Sequence, residues 1–178
     1  MNPEKRITLL LVDDHPVVRN GLRRVQELTP HIQVVGEAAT MHSAVAAARE
    51  LEPDIVLMDV RLPDGDGIEA CRRIKALLPA THVLFLTSYA DNRFVLAAME
   101  AGGDGYLLKE SDTQRIVDAV RTIMHGGTVF DPIVSTGASR DGKSDPGMNP
   151  LTPLTVQERR LLAEVAKGKT DKEAAVAM

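Results

Sequence analysis

The 178-residue chain has a single cysteine, Cys71. One thiol excludes a disulfide framework and points to a reducing compartment, the cytoplasm. No stretch approaches the ~18 consecutive apolar residues of a membrane span. The opening "MNPEKRITLL" carries charges, and its apolar run is too short for a secretory signal and ends in acids. Histidine and cysteine do not recur at zinc-ligand spacings. There is no low-complexity tract. What is present is ordinary for a soluble globular protein, with 44% hydrophobic and 26% charged residues. The length suits one domain and a fragment of another.

The formal net charge of −4 is unevenly spread. Residues 1–125 hold 14 Lys and Arg against 18 Asp and Glu, whereas residues 126–178 hold seven of each. The acidic first part argues against direct nucleic-acid binding there. In the second part the bases cluster at Arg159, Arg160, Lys167, Lys169 and Lys172.

Short apolar runs recur along the first part: Ile7 to Val12, Ile32 to Gly36, Asp54 to Met58, His82 to Leu86 and Gly105 to Leu108. They start 22 to 28 residues apart, about one strand plus one crossover helix. Most are continuously apolar, as parallel strands buried on both faces are. The intervening segments have helical periodicity. Val17, Val18, Leu22, Val25 and Leu28 can line one face; so can Ile68, Cys71, Ile74, Leu77 and Leu78, then Val95, Ala98 and Met99, then Ile116, Val120 and Ile123. The pattern predicts an α/β fold, a (βα)5 doubly wound parallel sheet. "HGG" (His125 to Gly127) closes the last helix with a glycine stop.

Residues 127–152 are rich in Gly, Pro, Ser and Asp and read as a flexible linker, with a short helical turn near Asp131 to Ser135. Helical patterning restarts in "LTVQERRLLAEVAKGKTDKEAAVAM". Thr155 with Glu158, and Thr170 with Glu173, have capping-box spacing, and Gly168 separates two short helices. This is the opening half of a helix-turn-helix.

In a parallel sheet all C-terminal strand ends share one edge, where ligands bind. Asp13 and Asp14 follow the first run, Asp59 the third, Thr87 and Ser88 the fourth, Lys109 the fifth. Nothing adjacent in sequence offsets the Asp13–Asp14 repulsion, since His15 and Pro16 come next. Three carboxylates a few ångströms apart repel by about 4 kcal/mol per pair at an effective dielectric near 20. A cation among them makes them tolerable, and oxygen-only donors favour Mg²⁺ or Mn²⁺. Without one they are expected splayed, hydrated or paired with Lys109. A carboxylate can also serve as a nucleophile and form an aspartyl phosphate, with a lysine and a hydroxyl stabilising the phosphoryl oxygens.

"VDDH", "LMDVRLPDGDGIE", "LTSY" and "GYLLK", in this order and spacing, resemble the receiver domain of two-component response regulators over residues 6–125. The resemblance implies a flavodoxin-like sheet of order 2-1-3-4-5. It implies Asp59 as phosphoacceptor and a metal site of Asp13, Asp14, Asp59 and the Arg61 main-chain carbonyl. It also implies Lys109 and Thr87 as groups that contact the phosphoryl group, and Thr87 and Tyr106 as switch residues. Glu110 stands where a proline, preceded by a cis peptide, often follows the lysine; a cis Lys-Glu bond would cost ~3 kcal/mol or more. The loop either stays trans or retains that strain. "VDDHPVVRNGL" and "GYLLKE" resemble the NarL/FixJ-type subfamily, whose output domain is a LuxR-type helix-turn-helix opening with "LTxxE". The fit weakens past Gly168, with Asp171 where Asn is usual and Ala174 where a larger aliphatic is usual.

The domains expected are therefore a receiver at 1–126, a linker at 127–152 and, at 153–178, the N-terminal part of a DNA-binding domain without its recognition helix. The residues that would contact DNA are not identifiable. The partners implied are a histidine kinase, DNA through a complete C-terminal domain, and a second copy when phosphorylated; no membrane is implied. A rival reading keeps the receiver and routes its output through protein contacts alone. Another is an Asp-nucleophile phosphatase, which the short loops after Asp14 and Asp59 disfavour. Asp64 and Asp66 are read as turn and cap residues, His15 as a helix-start residue and Cys71 as core.

Overall fold

All five apolar runs become parallel strands: β1 (Ile7–Val12), β2 (Ile32–Ala38), β3 (Ile55–Met58), β6 (His82–Thr87) and β7 (Gly105–Leu108). The computed structural model describes residues 6–88 and 91–130. Between the strands lie α1 (Pro16–Leu22), α2 (Arg24–Leu28), α3 (Met41–Leu51), α4 (Gly67–Leu77), α5 (Asn92–Glu100) and α6 (Thr113–Met124). The sheet runs β2-β1-β3-β6-β7, then a sixth strand β8 (Val129–Phe130), every neighbouring pair parallel. Its first five strands follow the expected order 2-1-3-4-5. β1 is a central strand, paired with β2 on one side and β3 on the other, so the chain reverses direction of winding beside it.

Alternate strand residues build two cores. Leu10, Val12, Val56, Met58, Val83, Phe85 and Tyr106 pack with Met41, Ala44 and Ala48 of α3, Ile68, Cys71 and Ile74 of α4, and Ala98 of α5. On the other face Leu9, Leu11, Ile55, Leu57, Leu84, Leu86 and Leu107 pack with Val25 of α2 and with Ile116, Val120 and Ile123 of α6. A sheet covered on both sides cannot alternate apolar with polar, which is why most of the strands read as nearly unbroken apolar runs, the edge strand β2 excepted. Each fully buried Leu or Ile contributes roughly 1.5–3 kcal/mol of transfer free energy. Among the described residues no helix is long and apolar enough to cross a membrane.

Three features differ from the sequence expectation. The expected linker starts at 127, but Val129 and Phe130 pair with Gly105 and Tyr106 and extend the sheet. The glycine stop makes this extension feasible: Gly126 adopts φ +83° after α6, and the chain turns back along β7. Second, the segment after β1 is two helices broken at Arg23, not one, and Val17, expected on the core face, is 82% exposed. The first helix starts at Pro16 with its own phase, so the stripe that buries Val25 does not extend back to Val17. Third, "RLPDGD" forms a small antiparallel hairpin, β4 (Arg61–Leu62) with β5 (Gly65–Asp66), outside the main sheet.

The hairpin delivers caps to two helices. Asp66 is the N-cap of α4 and accepts from the Glu69 N–H at 2.7 Å, as its place in the sequence suggested. Asp64 reaches α3, accepting from the N–H groups of Met41 at 2.6 Å and His42 at 3.1 Å, beside the Thr40–Ser43 capping box. Gly67 lets the chain leave the hairpin: a Cβ there would lie 1.9 Å from the Asp59 carbonyl oxygen. The linker from residue 131, its expected turn at 131–135 and the helix-turn-helix segment 153–178 lie outside the described residues.

Candidate functional site

The strand ladder continues one residue past the strands, onto the chemically important side chains. The Asp13 N–H donates to the Ala38 carbonyl at 3.1 Å, the Asp59 N–H to the Val12 carbonyl at 2.8 Å and the Lys109 N–H to the Thr87 carbonyl at 2.9 Å. Val12 is in register with Met58, so Asp13 and Asp59 leave adjacent strands at the same level. Backbone pairing thus sets the acids and the lysine along one edge before any side-chain contact is made.

Those contacts are short. Lys109 Nζ lies 2.6 Å from Asp13 Oδ2 and 2.6 Å from Asp59 Oδ2, bridging the first and third strand ends. Asp13 is 1% exposed and Asp59 5%. The Arg61 N–H donates to Asp59 Oδ1 at 3.3 Å. Burial raises the Asp59 pKa; the Lys109 hydrogen bond and charge oppose this without reversing it, and Asp13 adds to it. For Lys109 burial acts to lower the pKa, and the hydrogen bonds to Asp13 and Asp59 outweigh it, so the ammonium is held charged. The expected pairing of the acids with Lys109 therefore holds for Asp13 and Asp59. Asp14 pairs instead with His15, Nδ1 to Oδ1 at 2.6 Å. His15 is the N-cap residue of α1, the helix-start position, but its ring makes no cap hydrogen bond and lies against the acids. The neighbour that follows the acid pair in sequence thus sets a ring nitrogen against it.

Ligand atoms of Asp13, Asp14, Asp59 and His15 lie within 4.8 Å of one another. Asp14, His15 and Asp59 border a cleft of about 330 Å³, lined also by Arg61, Leu62, Pro63, Ser88 and Lys109, with Asp13 buried behind it. Carboxylate oxygens at this spacing fit a hard divalent cation. Thr87 and Tyr106 are fully buried and share a side-chain hydrogen bond. Burial is the main reason the Tyr106 phenol is pushed up to about 12, and its ring lies 6.2 Å from that of Phe85, tilted by 37°. The Lys109–Glu110 peptide is trans, like every other bond among the described residues.

A family model described as the response regulator receiver domain matches residues 9–121. The chain belongs to the response regulators. The response regulator protein VraR of Staphylococcus aureus is 40% identical over 171 residues, spanning 96% of this chain and 81% of VraR. A LuxR-family two-component response regulator from Aurantimonas sp. SI85-9A1 is 41% identical with a TM-score of 0.70, covering 74% of this chain and 94% of that one. The receiver domain of NarL from Mycobacterium tuberculosis is 32% identical with a TM-score of 0.65, covering 68% of this chain and 98% of that one.

In this response regulator the receiver brings Asp14, Asp59, Arg61 and Lys109 to one cleft, holds Asp13 against Lys109 beside it, and sets Thr87 and Tyr106 together in the interior. Arg61 also lies over the Phe94 ring, 5.4 Å from its centroid, which ties the loop after Asp59 to α5. Two participants were missed in the sequence. Arg19 donates to the Asp13 main-chain carbonyl at 2.6 Å, and Asp64 anchors the hairpin that follows Asp59. A basic residue one turn into the helix after an acid pair was the available signal for Arg19. For Asp64 there was none, because its partners are backbone groups of a distant helix.

Proposed function

We propose that Asp59 accepts a phosphoryl group from a partner histidine kinase and that the resulting charge change controls a C-terminal LuxR-type helix-turn-helix. The observation that carries this reading is the Asp59 carboxylate at the floor of an acidic cleft, 2.6 Å from Lys109. An Asp59 oxygen attacks phosphorus; the new P–O bond forms as the P–N bond of the phosphohistidine breaks, and the imidazole leaves with the electron pair and takes up a proton. Lys109 exchanges its Asp59 contact for a phosphoryl oxygen, and the Thr87 hydroxyl turns from Tyr106 to donate to another. Tyr106, released from Thr87, changes rotamer and alters the surface through which copies associate.

Asp13, Asp14, Asp59 and the Arg61 carbonyl would hold Mg²⁺ or Mn²⁺. When bound, that ion supplies positive charge opposite the phosphoryl oxygens. The receiver occupies residues 1 to about 130, the linker runs to 152, and 153–178 opens the DNA-binding domain; a likeness to VraR that spans 96% of this chain supports this reading. The protein acts in the cytoplasm, as a homodimer when phosphorylated. Its chemistry is confined to its own Asp59, with no turnover of an external metabolite.

Incubation with acetyl phosphate and Mg²⁺, read by intact mass, tests the assignment. Wild type is expected to gain one phosphoryl group and Asp59→Asn none. A folded wild type without adduct, or an equal adduct on Asp59→Asn, overturns it.

A further inference from the structure

Asp14 is aimed by the peptide that joins it to Asp13, and that peptide is held from outside the cleft. The Arg19 guanidinium, on α1, donates through one terminal nitrogen to the Asp13 carbonyl at 2.6 Å and through Nε to Glu37 Oε2 on β2 at 2.9 Å. The rest of Asp13 is fixed too: its N–H by Ala38, one carboxylate oxygen by the His15 N–H at 2.9 Å, the other by Lys109. A peptide unit is planar, so clamping the Asp13 carbonyl sets the plane from which the Asp14 Cα departs. β2 holds Glu37 opposite Leu11, one residue before Ala38, so the brace is anchored on the same strand that pairs with Asp13.

We infer that Arg19, braced by Glu37, is a positioning residue for the acid pair: it fixes the Asp13–Asp14 peptide so that both carboxylates meet one cation. The inference rests on the metal reading given above. The fold supplies its own control. Arg23 also binds Glu37 through Nε, but it is 55% exposed in its side chain against 17% for Arg19, and it makes no contact with the Asp13 loop. Both arginines tie the helices after β1 to the sheet; Arg19 alone touches the acids' main chain.

A charge role and a positioning role predict opposite signs. Removing a cation beside a cation site tightens binding if Arg19 acts only through its charge, and loosens it if Arg19 holds geometry. Titration of the full chain with Mg²⁺ by calorimetry, with urea unfolding of each variant alongside, separates the two. Arg19→Gln is expected to weaken Mg²⁺ about tenfold, the range seen for outer-shell partners of metal ligands. Arg23→Gln is expected to stay within about twofold of wild type by the same standard. Arg19→Lys keeps the charge and loses the planar fork, so it also weakens binding; it serves as the readout if Arg19→Gln does not fold. Wild-type affinity, or tighter, in both Arg19 variants overturns the positioning role while the metal reading stands. An equal loss in Arg23→Gln overturns it as well, since a general loosening of the helices would then suffice. A wild type that binds no Mg²⁺ overturns the metal reading itself.

Discussion

The two ends of the central sheet treat their acids differently. At the N-terminal edge each carboxylate has its own full set of donors. Asp104 accepts from Lys75 Nζ at 2.8 Å and the Val83 N–H at 2.9 Å, and contacts His82 Nδ1 at 3.0 Å. Asp54 accepts from both the N–H and the hydroxyl of Thr8 at 2.8 Å, while its own N–H donates to that hydroxyl at 2.9 Å. At the C-terminal edge Asp13 and Asp59 share one ammonium, with Asp14 alongside. Acids with dedicated partners hold strands and helices together. Acids crowded around one shared cation keep the capacity to exchange partners, which is what a receiver of phosphoryl groups requires.

The sharpest break of this comparison is to remove one acid from each edge. Asp59→Asn is expected to abolish phosphorylation while leaving urea stability unchanged or slightly raised, because it relieves a raised-pKa carboxylate of its buried charge. Asp104→Asn should do the reverse: phosphorylation by acetyl phosphate persists, and unfolding shows a loss of about 2 kcal/mol, the scale of hydrogen bonds to a charged group. If both variants lose stability and both lose phosphorylation, the division of labour between edges is wrong.

Gly67→Ala comes next. A methyl group 1.9 Å from the Asp59 carbonyl forces the backbone apart, so a loss of roughly 2–4 kcal/mol is expected together with slowed phosphorylation. Gly21→Ala, with open space around the added carbon, should do neither. The smallest effect is on pH dependence. Burial acts to raise the Asp104 pKa, but Lys75, His82 and the Val83 N–H outweigh it and the net direction is down. A carboxylate whose folded pKa lies below its unfolded value contributes stability above that unfolded value, near 3.8, and loses it as pH falls through the folded one. Wild type and Asp104→Asn should therefore converge in urea midpoint as pH is lowered from 5 toward 3. Parallel curves would show that the network at this edge does not depend on the charge.

The legible parts of the sequence were those carried by burial. Strands such as Ile7–Val12 and His82–Thr87 are covered on both faces, and no alternative partner competes for their runs of four consecutive apolar residues, Leu9 to Val12 and Val83 to Leu86. The acids, Thr87 and Lys109 followed from the topology, since every strand end lies on one edge. The parts not legible depend on partners remote in sequence. β8 is two residues long and exists because Gly126 returns the chain to β7. The hairpin "RLPDGD" has no apolar pattern and is held by Asp64 on α3. The break at Arg23 carries neither proline nor glycine at the break itself, and so Val17 was expected inside. The groups that meet the Asp13–Asp14 segment are His15, Arg19 and Lys109, of which only the first is adjacent.

Cys71 faces the core from α4, its thiol directed at the Ala101 carbonyl at 3.5 Å and pushed by burial to a pKa of about 12. With no other cysteine among these 178 residues, the chain is expected to be silent toward thiol-directed reagents at neutral pH. A fluorophore or spin label can therefore be placed at one introduced surface cysteine without first removing the natural one. Labels set separately at the two sheet edges would report whether phosphorylation moves one edge and leaves the other still.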